Sequence, residues 1–512
     1  MRSKTFHKIP KPENHQHSLA TKLAHFFTVM GKKAIIKGQW LKYKQKERDR
    51  LKIPENVRWI IHKLQEAGFE AYAVGGCVRD MLLGRIPQDW DITTSAKPED
   101  VKALFRRTID TGIEHGTVTV MIDKTGYEVT TYRLDGEYAD HRHPKAVVFT
   151  PELREDLKRR DFTINAMAYN DETGIVDEFH GKEDIQKKRI RAVGNPIERF
   201  DEDALRMLRA VRFAGQLGFS VEEETLEAIR KKADTLTHVS AERIQVELVK
   251  LLNSSGAEKL FIAQETGLTK IFFPEFDEMC ETTQNNPHHY LDVAHHTMEA
   301  VRCINKIFDR EYKAGTFSRT KDRSILTLAA LLHDVAKPRS KSVDDKGIDH
   351  FYGHDIEGAK LAVKILKRLK FDNETIRIVS SIIRVHDNRH EGGEKAMRRF
   401  MNRVGVSNMP YLFALQEADL LAQNDYMKEE KKERLNEAKK FFAKIQKAGE
   451  AVTVKDLAIT GKDLLDMGVK QGPKIGECLS WLLDKVLDEP AWNEKKTLIK
   501  LLEEEKRDVF RS

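Results

Sequence analysis

Gly75-Gly76 and, further along, Asp89-Trp90-Asp91 are the residues whose types and spacing point most directly to chemistry. A glycine pair without Cβ atoms lets backbone N–H groups approach a ligand closely. Ala71 to Val74 reads as a buried strand and Val78 to Leu83 as a helix opening, so unpaired amides and a positive dipole end would face the break between them. That is a place for a phosphate. Asp89 and Asp91 stand two apart, and on an extended segment they project from one face and repel each other unless a cation lies between them. A hard divalent ion, Mg²⁺, prefers such oxygen ligands and bridges them to substrate phosphates. The chemistry implied is nucleotidyl transfer.

The elements that must position these groups are legible in outline. Asn56 to Ala67 carries helical periodicity through Val57, Ile60, Ile61 and Leu64, and Gly68 closes it. Lys97 to Phe105 predicts a helix, while Thr117 to Ile122 and Tyr127 to Tyr132 predict paired strands around the Asp123–Gly126 turn. The fold class expected is α+β, a small mixed sheet with helices behind it, followed after about Ile190 by an all-helical remainder. Glu128 on the second strand either faces the aspartates as a third metal ligand or is a solvated strand residue. Leu134 to Pro144 is polar, with Gly and Pro, and predicts a mobile loop near the site. In Arg159-Arg160-Asp161-Phe162-Thr163-Ile164-Asn165, Arg160 suits a triphosphate, and Asp161 and Asn165 suit caps or turn bonds.

Together these residues resemble the class II tRNA nucleotidyltransferase (CCA-adding enzyme) and bacterial poly(A) polymerase family, with its polymerase-β-like head. The resemblance spans about 53–502 and implies tRNA, CTP and ATP as partners, Mg²⁺ at Asp89 and Asp91, and a triphosphate held by Gly75, Gly76, Arg79 and Arg160; Glu128 stays a candidate third catalytic carboxylate by its strand position. Glu202-Asp203-Ala-Leu-Arg206 predicts a helix with Asp203 and Arg206 on one face, by itself a salt bridge. The resemblance makes it the base-selecting motif, with Arg209 and Arg212 holding the nucleotide or its phosphates. Cytosine and adenine each present an amino donor beside a ring-nitrogen acceptor, which an aspartate and an arginine match together, whereas uracil and guanine reverse the pattern. The 134–144 loop argues against a C-only relative.

A second constellation runs His295-His296, His333-Asp334 with Lys337, Gly353-His354-Asp355, His386-Asp387 and Asp419. It resembles an HD-type metal phosphohydrolase domain. Imidazole nitrogen with carboxylate oxygen suits a divalent transition metal held between helices. The resemblance implies His296, His333, Asp334 and Asp419 as ligands, with His295 as a substitute for His296. His354 and His386 would complete a second metal site and Lys337 would hold a phosphate, while Asp355 and Asp387 are equally read as capping neighbours. Leu457 to Gly476, with Lys470 and Lys474, resembles the family's tail and suits RNA phosphates or an ordinary helix corner.

Composition sets the bounds. With 512 residues, 40% hydrophobic and 33% charged, the chain is expected to hold several domains. These are a basic extension over 1–52, a head over 53–180, a helical neck over 181–255, a body with the HD centre over 256–425 and an RNA-binding tail over 426–512. The net charge of +7 suits a polyanionic partner. No apolar run is long enough to span a membrane, and Cys77, Cys280, Cys303 and Cys478 form neither a C-x-x-C nor a disulfide framework. No membrane or stable protein partner is expected, and a reducing cytoplasm fits best. The lysine-rich 428–440 patch reads as a solvated helix face. The competing readings are an A-adding or poly(A) polymerase, an HD phosphohydrolase with an RNA-binding front domain, and an RNA chaperone.

Overall fold

The computed structural model describes residues 51–135, 147–286, 291–388 and 390–505. The expected basic extension, apart from its last two residues, and most of the expected mobile loop lie outside these stretches. The described chain forms two compact units, one over 51–135 with 147–185 and the other over 186–505.

In the first unit, helix α1 (Glu55–Glu66) buries Val57, Ile60, Ile61 and Leu64, the residues whose spacing predicted it. Strand β1 (Ala71–Val74) is buried throughout and runs into helix α2 (Gly76–Leu82), which opens at the second glycine, two residues earlier than predicted. Strand β2 (Asp91–Thr94) follows, then α3 (Pro98–Leu104), β3 (Thr108–Gly112), β4 (Thr117–Ile122) and β5 (Thr125–Thr131). A hairpin of β6 (Arg133–Asp135) and β7 (Val147–Phe149) flanks the undescribed loop. Helix α4 (Leu153–Lys158), β8 (Ala168–Asn170) and β9 (Gly174–Val176) complete the unit.

Seven strands form one sheet in the order β3-β4-β5-β2-β1-β8-β9. It is mixed, as expected, because β2 pairs parallel to β5 while the other neighbours are antiparallel. The β2–β5 register sets Asp91 opposite Glu128. Apolar residues of α1, β1, β2, β4 and β5 share one buried cluster with Cys77 and Val78. Burial of this kind is the main force holding the strands in register, since a one-residue slip would turn Ile92 and Val129 outward.

The second unit is mostly helical, with two strand pairs the sequence did not disclose. Its first elements are β10 (Arg189–Ile190), α5 (Pro196–Glu202), α6 (Leu205–Leu217), β11 (Ser220–Val221) and α7 (Ala241–Leu252). Strands β10 and β11 pair, as do β12 (Ser342–Val343) and β13 (Asp349–His350). These pairs are two residues deep, too short for a periodicity of two to show. Around the second pair lie α8 (Val293–Lys313), α9 (Thr320–Leu332), α10 (His354–Arg368), α11 (Asn373–Ile383) and α12 (Gly393–Val404). The chain continues through α13 (Met409–Ala422), α14 (Lys428–Ala448), α15 (Gly461–Asp466), α16 (Pro473–Asp488) and α17 (Lys495–Glu505). Helix α14 buries only Leu435, Ala438 and Ile445, so its lysines cover a solvated face as expected. Among the described residues no helix is long and apolar enough to cross a membrane.

Candidate active site and metal centre

The turn between β1 and α2 exists because Gly75 has φ +83, a conformation L side chains rarely adopt. A Cβ there would also stand 3.0 Å from Arg160 Nη1, so the missing side chain is what admits the guanidinium. Arg160 is thereby brought over the glycine turn, and its charge acts on Asp91. Arg160 Nη2 is bound to Asp156 Oδ2 at 3.3 Å, while its Nε is buried without a hydrogen-bond partner. Arg79, on α2, is buried and donates from Nη1 to Asn165 Oδ1 at 2.7 Å. Asn165 in turn donates to Asp161 Oδ1 at 3.1 Å, which also accepts the Phe162 amide, so the turn bonds expected of these two residues form.

Asp89 lies in the segment before β2 and Asp91 opens the strand; both residues are exposed. Desolvation of the carboxyl pushes Asp91 above the usual range, the Arg160 guanidinium pulls it down, and the Asp89 charge raises it again. Glu128 is likewise pushed up, by desolvation first and then by Asp91 and Asp89. The register sets Glu128 beside Asp91. Asp91 and Glu128, both held above the usual range with the Asp89 charge acting on each, form with it a site that a divalent cation would relieve.

In the second unit the expected Asp203–Arg206 helix face does not form. Helix α5 ends at Glu202, Asp203 is extended with φ −146 and ψ 103, and α6 begins at Leu205. The physical reason is a local turn bond: Asp203 Oδ1 accepts the Leu205 amide at 3.1 Å, a bond an aspartate makes more readily outside a helix than within one. Its carboxylate also receives Arg243 of α7 through two bonds, at 3.2 and 2.8 Å. Arg206 donates to Glu202 at 2.5 Å and to the Arg199 carbonyl at 3.2 Å. Arg212 is buried against Glu247 of α7, and Arg209 lies 3.8 Å from the same carboxylate. Arg243 and Glu247 are thus part of this constellation; no local motif marks them, because they come from a helix distant in sequence.

The histidines converge. His296 on α8, His333 at the end of α9, His354 at the start of α10 and His386 after α11 surround Asp334, with Asp419 reaching in from α13. His296 Nε2 is 2.9 Å from Asp419 Oδ1, and His333 Nε2 is 3.2 Å from Asp334 Oδ2. His354 Nε2 and His386 Nε2 approach Asp334 Oδ1 at 3.5 and 3.9 Å. Three rings are oriented from behind: Nδ1 of His333, His354 and His386 lies 2.8, 2.7 and 2.7 Å from the carbonyls of Ala330, Phe351 and Ile383. A carbonyl only accepts, so in the neutral ring Nδ1 carries the hydrogen and Nε2 turns its lone pair inward.

Two ligand groups result, His296 with His333 and Asp334, and Asp334 with His354 and His386. Burial opposes charge on His333, but Asp334 and Asp419 overcome it and the ring is pushed up to about 10. The cluster therefore calls for positive charge, which a metal ion would supply in place of a proton. Lys337 Nζ sits 2.8 Å from Asp334 Oδ2 and donates to Gln284 at 2.8 Å, so it is held by the cluster rather than projecting beyond it. His295 is exposed, stacked on Phe261 and paired with Asp292, outside either group. Asp334, Lys337, His354, His386 and Asp419 open into a cavity of about 580 Å³.

Residues 71–191 match the family described as "Poly A polymerase head domain" and 218–280 match "Probable RNA and SrmB- binding site of polymerase A". Residues 355–502 match tRNA nucleotidyltransferase domain 2. The CCA-adding enzyme of Levilactobacillus brevis is 36% identical over 87% of this chain and 96% of its own. That of Lacticaseibacillus paracasei is 34% identical over 88% and 96%. The crystal structure of the Bacillus stearothermophilus CCA-adding enzyme in complex with CTP superposes with a TM-score of 0.63 at 29% identity, covering 88% of this chain and 98% of that one.

Proposed function

This chain belongs to the CCA-adding enzymes, and from that premise we propose how its residues divide the work of extending a tRNA 3′ end with CTP and ATP. The observation that carries the assignment is the carboxylate group in which the sheet register sets Glu128 beside Asp91 and electrostatics couple both to Asp89. In the reaction the RNA 3′ hydroxyl oxygen forms a bond to the α-phosphorus of the nucleotide, the bond to the β-phosphate oxygen breaks, and pyrophosphate leaves. Magnesium held by Asp89, Asp91 and Glu128 would supply Lewis-acid stabilisation for both oxygens.

The chain's own residues do the rest. Arg160, laid over Gly75, and Arg79, fixed by Asn165, hold the triphosphate. Asp203 accepts from the exocyclic amine of cytosine or adenine and Arg206 donates to the ring nitrogen. Arg243 and Glu202 set the attitude of this pair, so that its donor and acceptor are presented before a base arrives. Arg209 holds nucleotide phosphates, whereas Arg212, buried on Glu247, supports the helix that carries Arg206. The exposed Lys470 and half-buried Lys474, flanking the start of α16, serve tRNA phosphates. A cytoplasmic setting accords with four free cysteines. Incubation of tRNA lacking its terminal nucleotides with each labelled nucleotide, singly and in pairs, tests the reading. C then A followed by arrest is expected; unlimited addition of A would make the enzyme a poly(A) polymerase.

The inward-turned histidines favour a second reading for the second unit, a metal-dependent phosphohydrolase centre. His296, His333, Asp334 and Asp419 would hold one divalent transition metal, and His354 and His386 with Asp334 a second. A metal bound there would activate water toward a phosphoester. Metal analysis of the purified protein, with phosphoester hydrolysis measured before and after chelation, tests it.

A further inference from the structure

Asp156 belongs to no motif discussed so far, yet it is a fully buried carboxylate between the catalytic strand and the two arginines that follow α4. Its Oδ1 accepts from Arg159 Nε at 3.0 Å and Nη2 at 2.7 Å. Its Oδ2 accepts from Arg160 Nη2 at 3.3 Å and from Thr93 Oγ1 at 3.0 Å. Four bonds saturate a carboxylate. Thr93 is itself fully buried and stands on β2 two residues after Asp91, on the same side of the strand.

We propose that Asp156 is a positioning residue for nucleotidyl transfer, fixing Arg160 against the strand that carries Asp91 so that the triphosphate clamp and the carboxylate site hold one spacing. The argument is geometric. A free arginine side chain loses rotamer entropy whenever it grips a phosphate, and a buried acid that already orders it removes that cost from binding. Arg160 bonds Asp156 through Nη2 while Nη1 lies over Gly75, so the same guanidinium presents a donor toward the turn. Thr93 supplies the other half of the link, because its hydroxyl ties Asp156 to the backbone that carries Asp91. The arginine pair in turn holds the Asp156 carboxyl below the usual range against strong desolvation, so the acid stays charged whenever the enzyme works. Asp156 does not touch the nucleotide; it acts through Arg160.

The inference rests on Arg160 being a triphosphate ligand, and a double-mutant cycle separates the two claims. Steady-state kinetics of C and A addition are measured on the full chain for Arg160→Ala, Asp156→Asn, the double variant, and Thr93→Val. Arg160→Ala is expected to raise KM for CTP and ATP alike with KM for tRNA unchanged. Asp156→Asn is expected to raise the same two KM values about tenfold, and to add less than about twofold in the Arg160→Ala background. Thr93→Val, which removes one of the four bonds and keeps the volume, is expected to raise them about two- to fivefold. That variant decides the matter if Asp156→Asn does not fold. Unchanged nucleotide KM values in Asp156→Asn or Thr93→Val, or an effect of Asp156→Asn that persists in full without Arg160, overturn the inference and leave the Arg160 assignment standing. An unchanged KM in Arg160→Ala overturns both.

Discussion

In the proposed reaction single carboxylates and guanidiniums carry the chemistry, and their loss should be read in different constants. Asp89→Ala and Asp91→Ala should each lower nucleotide incorporation by roughly 10²–10³-fold or more while tRNA binding stays nearly unchanged, measured by single-turnover incorporation and filter binding. Glu128→Gln should lower incorporation less, and its deficit should narrow as Mg²⁺ is raised, because it removes one oxygen ligand's charge from three. Arg206→Ala should loosen base choice. Loss of the guanidinium removes both the donor that matches cytosine or adenine and the clash that rejects uracil, so misincorporation of U should rise about tenfold or more relative to C. Asp89-x-Asp91 and the two arginines after Lys158 announce themselves by type and spacing. Arg243 does not, since an arginine on an amphipathic helix looks like any solvated charge until the fold sets it on Asp203.

Elements place those residues, and their ends matter more than their middles. Gly75→Ala should cost activity by two routes, an unfavourable φ and displacement of Arg160 Nη1, and should raise nucleotide KM with only a modest change in thermal unfolding. Helix α11 offers a prediction of stability. Partial burial pushes its Asp372 cap upward, but the Lys321 ammonium and the Thr375 hydroxyl and amide outweigh this and hold the carboxyl at about 2, against an ordinary 3.8. A depressed folded-state value means the contribution is complete above the ordinary value and is lost as pH falls from 3.8 through about 2. Asp372→Ala should therefore cost about 1 kcal/mol near neutrality and flatten the acid limb of melting temperature against pH. Helix α1 and strands β4 and β5 were legible because apolar residues recur at the period of each element, and β1 because it is an unbroken apolar run. The break at Asp203 was not, because a local turn bond and a helical i,i+3 pair draw on the same residue type.

At the scale of the whole molecule, the candidate carboxylate site lies in the first compact unit and the candidate histidine centre in the second, and the two should be separable. His333→Ala should lower the divalent metal content of the purified protein, read by elemental analysis, without altering C and A addition in Mg²⁺. Asp91→Ala should do the reverse. The sequence by itself determined the groups available: paired carboxylates suited to a hard cation, arginines suited to phosphate, and, through resemblance to known families, an aspartate and an arginine read as matched to cytosine and adenine and histidines read as a metal centre. It did so because residue type sets what a group can bind, and short-range spacing sets which face it shares. Only the tertiary structure decided which groups meet. It put Glu128 opposite Asp91 through a parallel strand pairing and saturated Asp156 between Thr93 and two arginines. It turned four histidines from separate elements toward Asp334 and set Arg243 on Asp203. Those contacts join residues far apart in the chain, and they are set by how buried faces pack, which no local pattern records.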